Sequence, residues 1–256
     1  MTTAPTGTDP DPVRALPTVH GRVGSSRRVS DALVELTVVL PDDDITHRLE
    51  GGDEFVYVLV ANGDGIDPAY TMSRFMERRA DDPVIGAYYT VRRSRPGEID
   101  LWAVDHGHGG VGDWIARARP GDRLALWGPR RGFVTPADAR RVVLVADETG
   151  LAAVCALVEV LPAHVHATAV LAAGPTGRPP LPAHDGLEVV WTDRGDDAPG
   201  GGDGLVAAIA GLHDTPDAAF GAAESRRITA VRRHLQRRGV RADRMLMTGY
   251  WRRGSS

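Results

Sequence analysis

The pattern of hydrophobic residues changes once along the chain, close to Arg140, and this change limits the folds that the sequence can adopt. Before Arg140, short β-branched runs are separated by turns such as Pro96-Gly97 and Pro120-Gly121. Many short strands within about 110 residues are typical of a small antiparallel barrel. After Arg140, apolar strands alternate with helical segments, which is the pattern of a parallel sheet with crossover helices.

We therefore predict a two-domain protein of the β + α/β class: an N-terminal antiparallel β-barrel of the six-stranded type, followed by a C-terminal domain with a parallel sheet. The expected bounds are a flexible arm at 1–17, the barrel at 18–138 and the α/β domain at 139–256. Barrel strands are predicted at 32–40, 55–60, 88–93, 98–104 and 123–127, with a helix at 114–119. Strands of the second domain are predicted at 141–146, 166–172, 187–192, 218–222 and 245–248, and helices at 150–161, 205–212 and 224–238.

Composition and charge exclude several classes of function. The formal net charge is −4 and the pI is about 6.1, so no overall basic field is available to hold a nucleic acid. All 30 positively charged side chains are arginine, and the absence of lysine excludes Schiff-base and lysine-nucleophile chemistry. The sequence contains no Gly-x-Ser-x-Gly motif and no clear Ser-His-Asp order, so it gives no sign of a hydrolase.

Cysteine content and the N-terminus favour a cytoplasmic protein. The single cysteine, Cys155, lies in an apolar run and is interpreted as a small buried hydrophobe. The first residues have neither a basic start nor an apolar core of a signal peptide, and no uninterrupted apolar stretch reaches about 18 residues. We therefore expect no export signal and no membrane span.

An ordered set of motifs carries a family resemblance over residues 19–254. The motifs are Tyr89-Thr90-Val91-Arg92, Ala116–Arg123, Gly128–Phe133, Asp147-Glu148-Thr149 and Gly249–Gly254. In this order and spacing the chain resembles the siderophore-interacting protein family, whose members are NAD(P)H-dependent ferric-siderophore reductases that use FAD. The barrel-then-α/β order is also that of flavin reductases of the ferredoxin reductase type.

The resemblance implies that a flavin lies between the barrel and the nucleotide-binding-type domain. Tyr89 and Thr90 would contact the isoalloxazine ring, and Trp251 would cover the ring from the last strand. The loop Asp105–Trp114 would hold flavin phosphate, with His106, Gly109 and Gly112 as its contributing positions. An outward-facing Tyr-Thr pair and a Trp that packs the C-terminal tail are the structural alternatives.

Three departures from the family pattern weaken this expected site. The arginine that family members place two residues before the tyrosine is Ala87 here, and the hydroxyl residue two positions before the tryptophan is Gly112. A basic siderophore-binding residue of an early barrel strand is replaced by Tyr57. Each lost charged hydrogen bond costs about 1.5–3 kcal/mol, so we expect FAD to bind weakly or not at all.

Further residues are assigned to the nucleotide and the substrate. Thr149, at the turn after the first strand of the second domain, could meet a pyrophosphate at a helix N-terminus, although a simple capped helix start is an equal alternative. Arg92, Arg130 and Arg252 are candidate anion contacts, with Arg92 on the cofactor side. Tyr57, Arg130, Tyr250 and Arg252 form the expected substrate-binding set.

Two other patterns have less specific interpretations. The pairs His106/His108 and His164/His166 lack a convincing third ligand, so no metal site is predicted. Arg226 and Arg227 open an arginine-rich helix that is either a solvated face or a site for an adenosine 2′-phosphate.

The sequence leaves three functions open. In the first, an oxidoreductase passes electrons from NAD(P)H through flavin to a ferric chelate, and reduction of the iron weakens its coordination by hard oxygen ligands. In the second, a flavin-poor or flavin-free family member binds and transforms a conjugated organic substrate, for example by cyclisation in secondary metabolism. In the third, the cleft binds its ligand without turnover. A catalytic residue cannot be named in any of them.

Overall fold

The computed structural model of the chain describes residues 16–41, 45–61, 65–105, 110–193 and 204–253. Six strands form a closed barrel: β1 (Thr18–Arg28), β2 (Leu33–Val39), β3 (Glu54–Ala61), β4 (Val84–Arg95), β5 (Glu98–Val104) and β6 (Arg123–Arg131). Every pairing in the barrel is antiparallel, and the strand order is β1-β2-β5-β4-β3-β6. The predicted barrel is therefore confirmed, although the sequence analysis missed β1. Two helices, α1 (Met72–Met76) and α2 (Gly110–Arg117), lie in the connections of this part of the chain.

The second half is a five-stranded parallel sheet, also as predicted. Its strands are β7 (Arg141–Asp147), β8 (His166–Ala172), β9 (Leu187–Thr192), β10 (Ala218–Glu224) and β11 (Met245–Trp251), in the order β11-β10-β7-β8-β9. Its helices are α3 (Leu151–Glu159), α4 (Gly204–Ala210) and α5 (Ser225–Arg237). No helix in the described ranges is long and apolar enough to cross a membrane.

The largest apolar cores explain why these segments fold as they do. The barrel encloses side chains from alternate positions of its strands, for example Val56, Val58 and Val60 of β3. Each face of the parallel sheet has its own core, and β7 is buried from Val142 onwards because both of its faces are covered. Helix α3 is apolar from Leu151 to Val158 because this stretch is buried, and only its last residue, Glu159, is polar and partly exposed.

The barrel segment contributes directly to one of the sheet cores. Leu33 and Trp102 from the barrel and Phe133 from the link after β6 are buried with the core around α3. The rings of Phe133 and Phe220, the latter on β10, have centroids 5.8 Å apart. The two halves of the chain therefore share apolar core rather than only a polar contact.

Candidate functional site

The outer face of the barrel carries two rows of side chains across β6, β3 and β4. Strand register places Arg130, Phe55 and Thr90 in one row, and Trp127, Tyr57 and Tyr88 in the next. Partners opposite each other in an antiparallel pair point to the same face of the sheet. Three members of the expected site, Tyr57, Thr90 and Arg130, are therefore on one surface.

Arg130 lies among aromatic rings on this surface. Its Nη1 donates to the hydroxyl of Tyr88 at 3.0 Å, and its guanidinium carbon is 5.2, 5.6 and 5.8 Å from the ring centroids of Phe55, Tyr88 and Trp127. Within the described ranges, no carboxylate pairs with Arg130. Arg130 is thus a cation on an aromatic surface that can attract an anionic or conjugated ligand. Tyr88, which the sequence analysis did not select, is half exposed and completes this surface.

Tyr57 faces this surface with its ring but not with its hydroxyl. The hydroxyl donates to the backbone carbonyl of Gly86 at 3.0 Å, and the ring packs at 4.6 Å from that of Tyr88. Burial raises the pKa of Tyr57, with the charge of Arg78 acting in the opposite direction. A Cβ at Gly86 would lie 2.3 Å from the ring of Tyr57, so the tyrosine ring fits here only because residue 86 is glycine. Tyr57 can offer a ligand ring contact but no cationic replacement for the family's basic residue.

Strand β4 has an open backbone edge beside this surface. Its pairing with β5 begins at Val91, so among the described residues 84–90 have a strand partner, β3, on one side only. Tyr89 and Thr90 point to opposite faces because they are adjacent in the strand. The side chains of Tyr89 and Ala87 pack against the core of the barrel, and burial raises the pKa of Tyr89 well above its ordinary value. One ligand can therefore meet both residues only across the open edge, rather than by lying on one face of the strand.

The expected phosphate end is poor in positive charge. Ala87 has only a methyl group, and the buried Gly112 in the first turn of α2 has no side chain. Asp113 follows, with its carboxylate 3.9 Å from Arg117. His106 and Gly109, predicted for the same loop, lie outside the described residues. The described residues thus fit the ring of a flavin at the open edge of β4, whereas Ala87 and Asp113 do not fit its phosphates.

Arg92 does not occupy the position expected of an anion contact. It is only 3% exposed, and both terminal nitrogens donate to the Glu159 carboxylate on α3, at 2.9 and 3.0 Å. Its guanidinium carbon also lies 5.0 Å from the ring centroid of Trp102. This prediction is corrected here: the cation of Arg92 is already paired, and it joins the barrel to the sheet domain.

The carboxyl ends of β7, β10 and β11 are tied together by Asp147. Oδ1 accepts hydrogen bonds from the amide and hydroxyl of Thr149, at 3.0 and 2.5 Å. Oδ2 accepts from the amide of Glu224 at 2.9 Å and from Nε1 of Trp251 at 2.8 Å. Both donors of Thr149 therefore bind Asp147, and in this arrangement they do not offer a pyrophosphate the contact that the sequence analysis assigned to them.

The N-terminus of α5 is also occupied by a carboxylate of the chain. Glu224 accepts hydrogen bonds from the amides of Arg226 and Arg227, at 2.7 and 3.0 Å. This capping places a negative charge where a helix N-terminus would otherwise bind an anion. The side chain of Arg226 is exposed near this point, so its predicted contact with a 2′-phosphate could involve only the side chain.

The last strand brings two aromatic residues to the open edge of β4. Tyr250 and Trp251 are 37% and 39% exposed at the carboxyl end of β11. The hydroxyls of Tyr250 and Thr90 are 3.3 Å apart, so the barrel and the sheet meet at this pair. Burial, followed by the charge of Asp53, raises the pKa of Tyr250, and the hydrogen bond with Thr90 lowers it by less. Arg252 follows directly and is exposed, at the end of the same strand.

One further residue of this junction was not selected from the sequence. Asp53 ends the bend at 51–53 that precedes β3, yet its side chain is only 2% exposed, and its charge raises the pKa of Tyr250. Burial raises the pKa of Asp53 to about 6, the amide of Phe133 lowers it, and the charge of Glu54 raises it. A turn residue gives no sequence signal that it will be buried by a strand almost 200 residues later in the chain.

Comparison with known proteins connects this geometry to a family. A family model for a siderophore-interacting FAD-binding domain matches residues 22–133, and one for siderophore-interacting protein matches 139–254. A crystal structure of a siderophore utilization protein from T. fusca is 32% identical, with a TM-score of 0.81 over 94% of this chain and 95% of that one. The ferredoxin reductase of a carbazole 1,9a-dioxygenase, at 16% identity and a TM-score of 0.65 over 92% of this chain and 70% of that chain, shares the fold.

Curated mycobacterial proteins are also similar to this chain. An uncharacterised protein of Mycobacterium tuberculosis is 32% identical over 171 residues, which cover 61% of this chain and 60% of that protein. The match therefore spans about three fifths of the length of that relative. Together with the two family models and the similarity to the T. fusca protein along almost its full length, the two-domain fold assigns the chain: it belongs to the siderophore-interacting protein family.

Proposed function

We propose that this protein reduces iron in a ferric chelate with electrons from NAD(P)H, with the help of a weakly held flavin. The observation that carries the proposal is the meeting of Thr90 on the open edge of β4 with Tyr250 on the last strand, beside the exposed ring of Trp251. Open parallel sheets bind ligands at the carboxyl ends of their strands, and here that end faces the barrel.

The chain offers different groups to the two parts of the flavin. Tyr89, Thr90 and Trp251 are the residues that would hold the ring. A bound flavin would supply the ability to take electrons in a pair and give them singly to iron. Ala87 and Asp113 give the phosphates little support, so we propose that FAD binds reversibly and is lost during purification.

The chelate would bind on the aromatic surface next to this position. Arg130 supplies positive charge, and the rings of Phe55, Tyr57 and Tyr88 supply flat apolar contact. One NAD(P)H carries two electrons, so it reduces two ferric ions and leaves NAD(P)⁺ and a proton. Ferrous iron binds hard oxygen ligands less tightly than ferric iron, so the metal is released.

The test is anaerobic reduction with purified protein, added FAD, NADH or NADPH, and a ferric siderophore, with ferrozine to trap ferrous iron. We expect ferrous iron to form at twice the rate of nicotinamide oxidation. Thr90→Val should slow the reaction severalfold, whereas Thr215→Val, which alters an exposed hydroxyl far from the site, should not. Reduction no faster than that by free FAD and NAD(P)H, at every protein concentration, would contradict the proposal.

A second candidate is favoured by the phosphate end of the site. The methyl of Ala87 and the carboxylate of Asp113 suit a ligand without phosphates, such as a conjugated organic substrate bound against Trp251 and Tyr88. Titration with FAD separates the two. If FAD neither binds nor changes the absorbance of a colourless preparation, while conjugated organic ligands quench the fluorescence of Trp251, the second candidate replaces the first.

A further inference from the structure

A local irregularity sets the direction of the last two aromatic residues of β11. The parallel pairing of β10 with β11 shifts by one residue between Ala223 and Glu224. Glu224 lies opposite Trp251, so Tyr250 is an extra residue on β11 without a counterpart on β10. Extra residues of this kind bend a strand and re-aim its side chains, and they are common beside functional sites. The shift therefore separates the contacts of the two neighbouring rings.

The two rings are held by different halves of the chain. The hydroxyl of Tyr250 lies 3.3 Å from that of Thr90 on the barrel. Nε1 of Trp251 instead donates to Oδ2 of Asp147, at the end of β7, at 2.8 Å. The main chain of Trp251 is held separately, since its carbonyl accepts a hydrogen bond from the hydroxyl of Ser225 at 2.8 Å. Of these contacts, only the bond to Asp147 acts on the indole ring.

Asp147 offers the indole one fixed acceptor. The residue is only 3% exposed, and each of its carboxylate oxygens accepts two hydrogen bonds. The donors belong to the turn after β7 and to the ends of β10 and β11, so turning the carboxylate would break bonds to all three. A buried acceptor whose bonds come from several elements fixes the orientation of the group that binds it.

The ring that Asp147 holds remains accessible to a ligand. Trp251 is attached by the N–H edge of its indole and is 39% exposed, so part of the ring surface is free. The residue lies at the carboxyl end of its strand, where open parallel sheets bind ligands. A ring that is already fixed loses less side-chain freedom when a planar ligand packs against it. The bond to Asp147 should therefore favour ligand binding without any contact between Asp147 and the ligand.

We propose that Asp147 is a positioning residue that fixes the ring of Trp251, through the indole N–H, as a wall of the site between the barrel and the sheet. Without this bond the ring turns about its side-chain bonds, and a planar ligand has to order it on binding. That the ligand is a flavin rests on the proposed function, but the fixing of the ring does not.

The fixing of the ring can be measured without any ligand, by ¹H–¹⁵N NMR of the indole groups and of their exchange with water. The chain has five tryptophans, and Trp251→Phe identifies the signal. Asp147→Ala removes both acceptor oxygens and leaves room for water, so the Nε1 proton of Trp251 should exchange at least about tenfold faster than in the wild type. Thr149→Val is the matched control, because it removes only a hydroxyl donor to Oδ1 and should leave the exchange rate nearly unchanged.

Two results of this measurement would overturn the proposal. One is an equal exchange rate of the Trp251 indole in the wild type and in Asp147→Ala. The other is a wild-type rate as fast as that of the free indole in N-acetyltryptophanamide. The second comparison needs only the wild-type protein, so the test remains decisive if Asp147→Ala fails to fold.

FAD titration separates positioning from a general loss of stability. At a temperature well below the melting of every variant, Asp147→Ala should weaken FAD binding about three- to tenfold. In the Trp251→Phe background, which keeps an aromatic ring without the N–H, the same change should have less than about a twofold effect, because the ring is already released. Equal weakening in both backgrounds would refute the proposal. Absence of FAD binding in every variant, including the wild type, would refute the flavin part of the proposed function and leave the exchange rates to decide the role of Asp147.

Discussion

In the buried ion pair between Arg92 and Glu159, removal of the glutamate charge should destabilise the protein more than removal of the arginine. Arg92 is 3% exposed, whereas the Glu159 side chain is 31% exposed and also pairs with Arg93 at 3.0 Å. Glu159→Gln leaves a buried cation without a counter-charge. Arg92→Met leaves a partly solvated carboxylate that keeps Arg93, and it fills the same space with an apolar chain.

The expected sizes follow from these environments. Removing the partner of a buried charge costs about 3–5 kcal/mol, and we place Glu159→Gln at about 3 because glutamine still accepts one hydrogen bond. Arg92→Met should cost about 1–2 kcal/mol, since an exposed pair remains and the contact with the Trp102 ring is only partly lost. The free energy of unfolding should therefore fall further for Glu159→Gln, by about 1–2 kcal/mol.

Urea unfolding followed by tryptophan fluorescence measures this difference at pH 7. The double variant Arg92→Met/Glu159→Gln serves as the control, because it should be more stable than Glu159→Gln alone. Burial raises the pKa of Glu159, but the hydrogen bonds and charges of Arg92 and Arg93 together lower it by more, so the pKa lies below its ordinary value of 4.5. The stabilisation from the pair should therefore be lost as the pH falls below about 4.5. If Arg92→Met is as destabilising as Glu159→Gln, or more so, the reasoning from burial fails.

Three further substitutions test other parts of the structure. The pKa of Asp53 is raised from 3.8 to about 6, so the free energy of unfolding should fall as the pH rises from about 4 to 6. This loss is worth about 3 kcal/mol at pH 7, and thermal melts across pH should show that Asp53→Asn removes it. Ala87→Arg should tighten FAD binding by at least about tenfold in calorimetry, because it adds a guanidinium at the phosphate end; no gain would show that phosphates lie elsewhere. Trp251→Ala should weaken ligand binding by about an order of magnitude and shift the melting temperature by only a few degrees, since the residue is 39% exposed and Asp147 Oδ2, which loses the Trp251 Nε1 donor, keeps the amide of Glu224. Early unfolding with normal binding would make it a packing residue.

Most of the fold follows from local sequence patterns. The change at Arg140 correctly separates the antiparallel from the parallel part, because hydrophobic periodicity reports how each segment is buried. Strand β1 was missed, since its residues Gly21 and Ser25 interrupt the alternation that identifies strands. Its place in the barrel depends on pairing with β2 and β6, which local patterns do not encode.

The candidate site was harder to predict because its contacts join distant residues. Motifs placed Tyr89, Thr90 and Trp251 near one another, and the structure brings Thr90 into contact with the neighbouring Tyr250. The partner of Arg92 is 67 residues away, so the sequence could not show that its charge is already used. The burial of Asp53 likewise becomes visible only when β11 is in place.

The position of Phe133 has a consequence for how the protein unfolds. This ring comes from the link between the two halves of the chain, yet it is buried in the core of the second half against Phe220. A cut between residues 138 and 139, although it follows the expected domain boundary, would remove this ring and leave a hydrophobic cavity. The barrel and the sheet should therefore melt in a single calorimetric transition, whose enthalpy corresponds to the whole chain and not to either half.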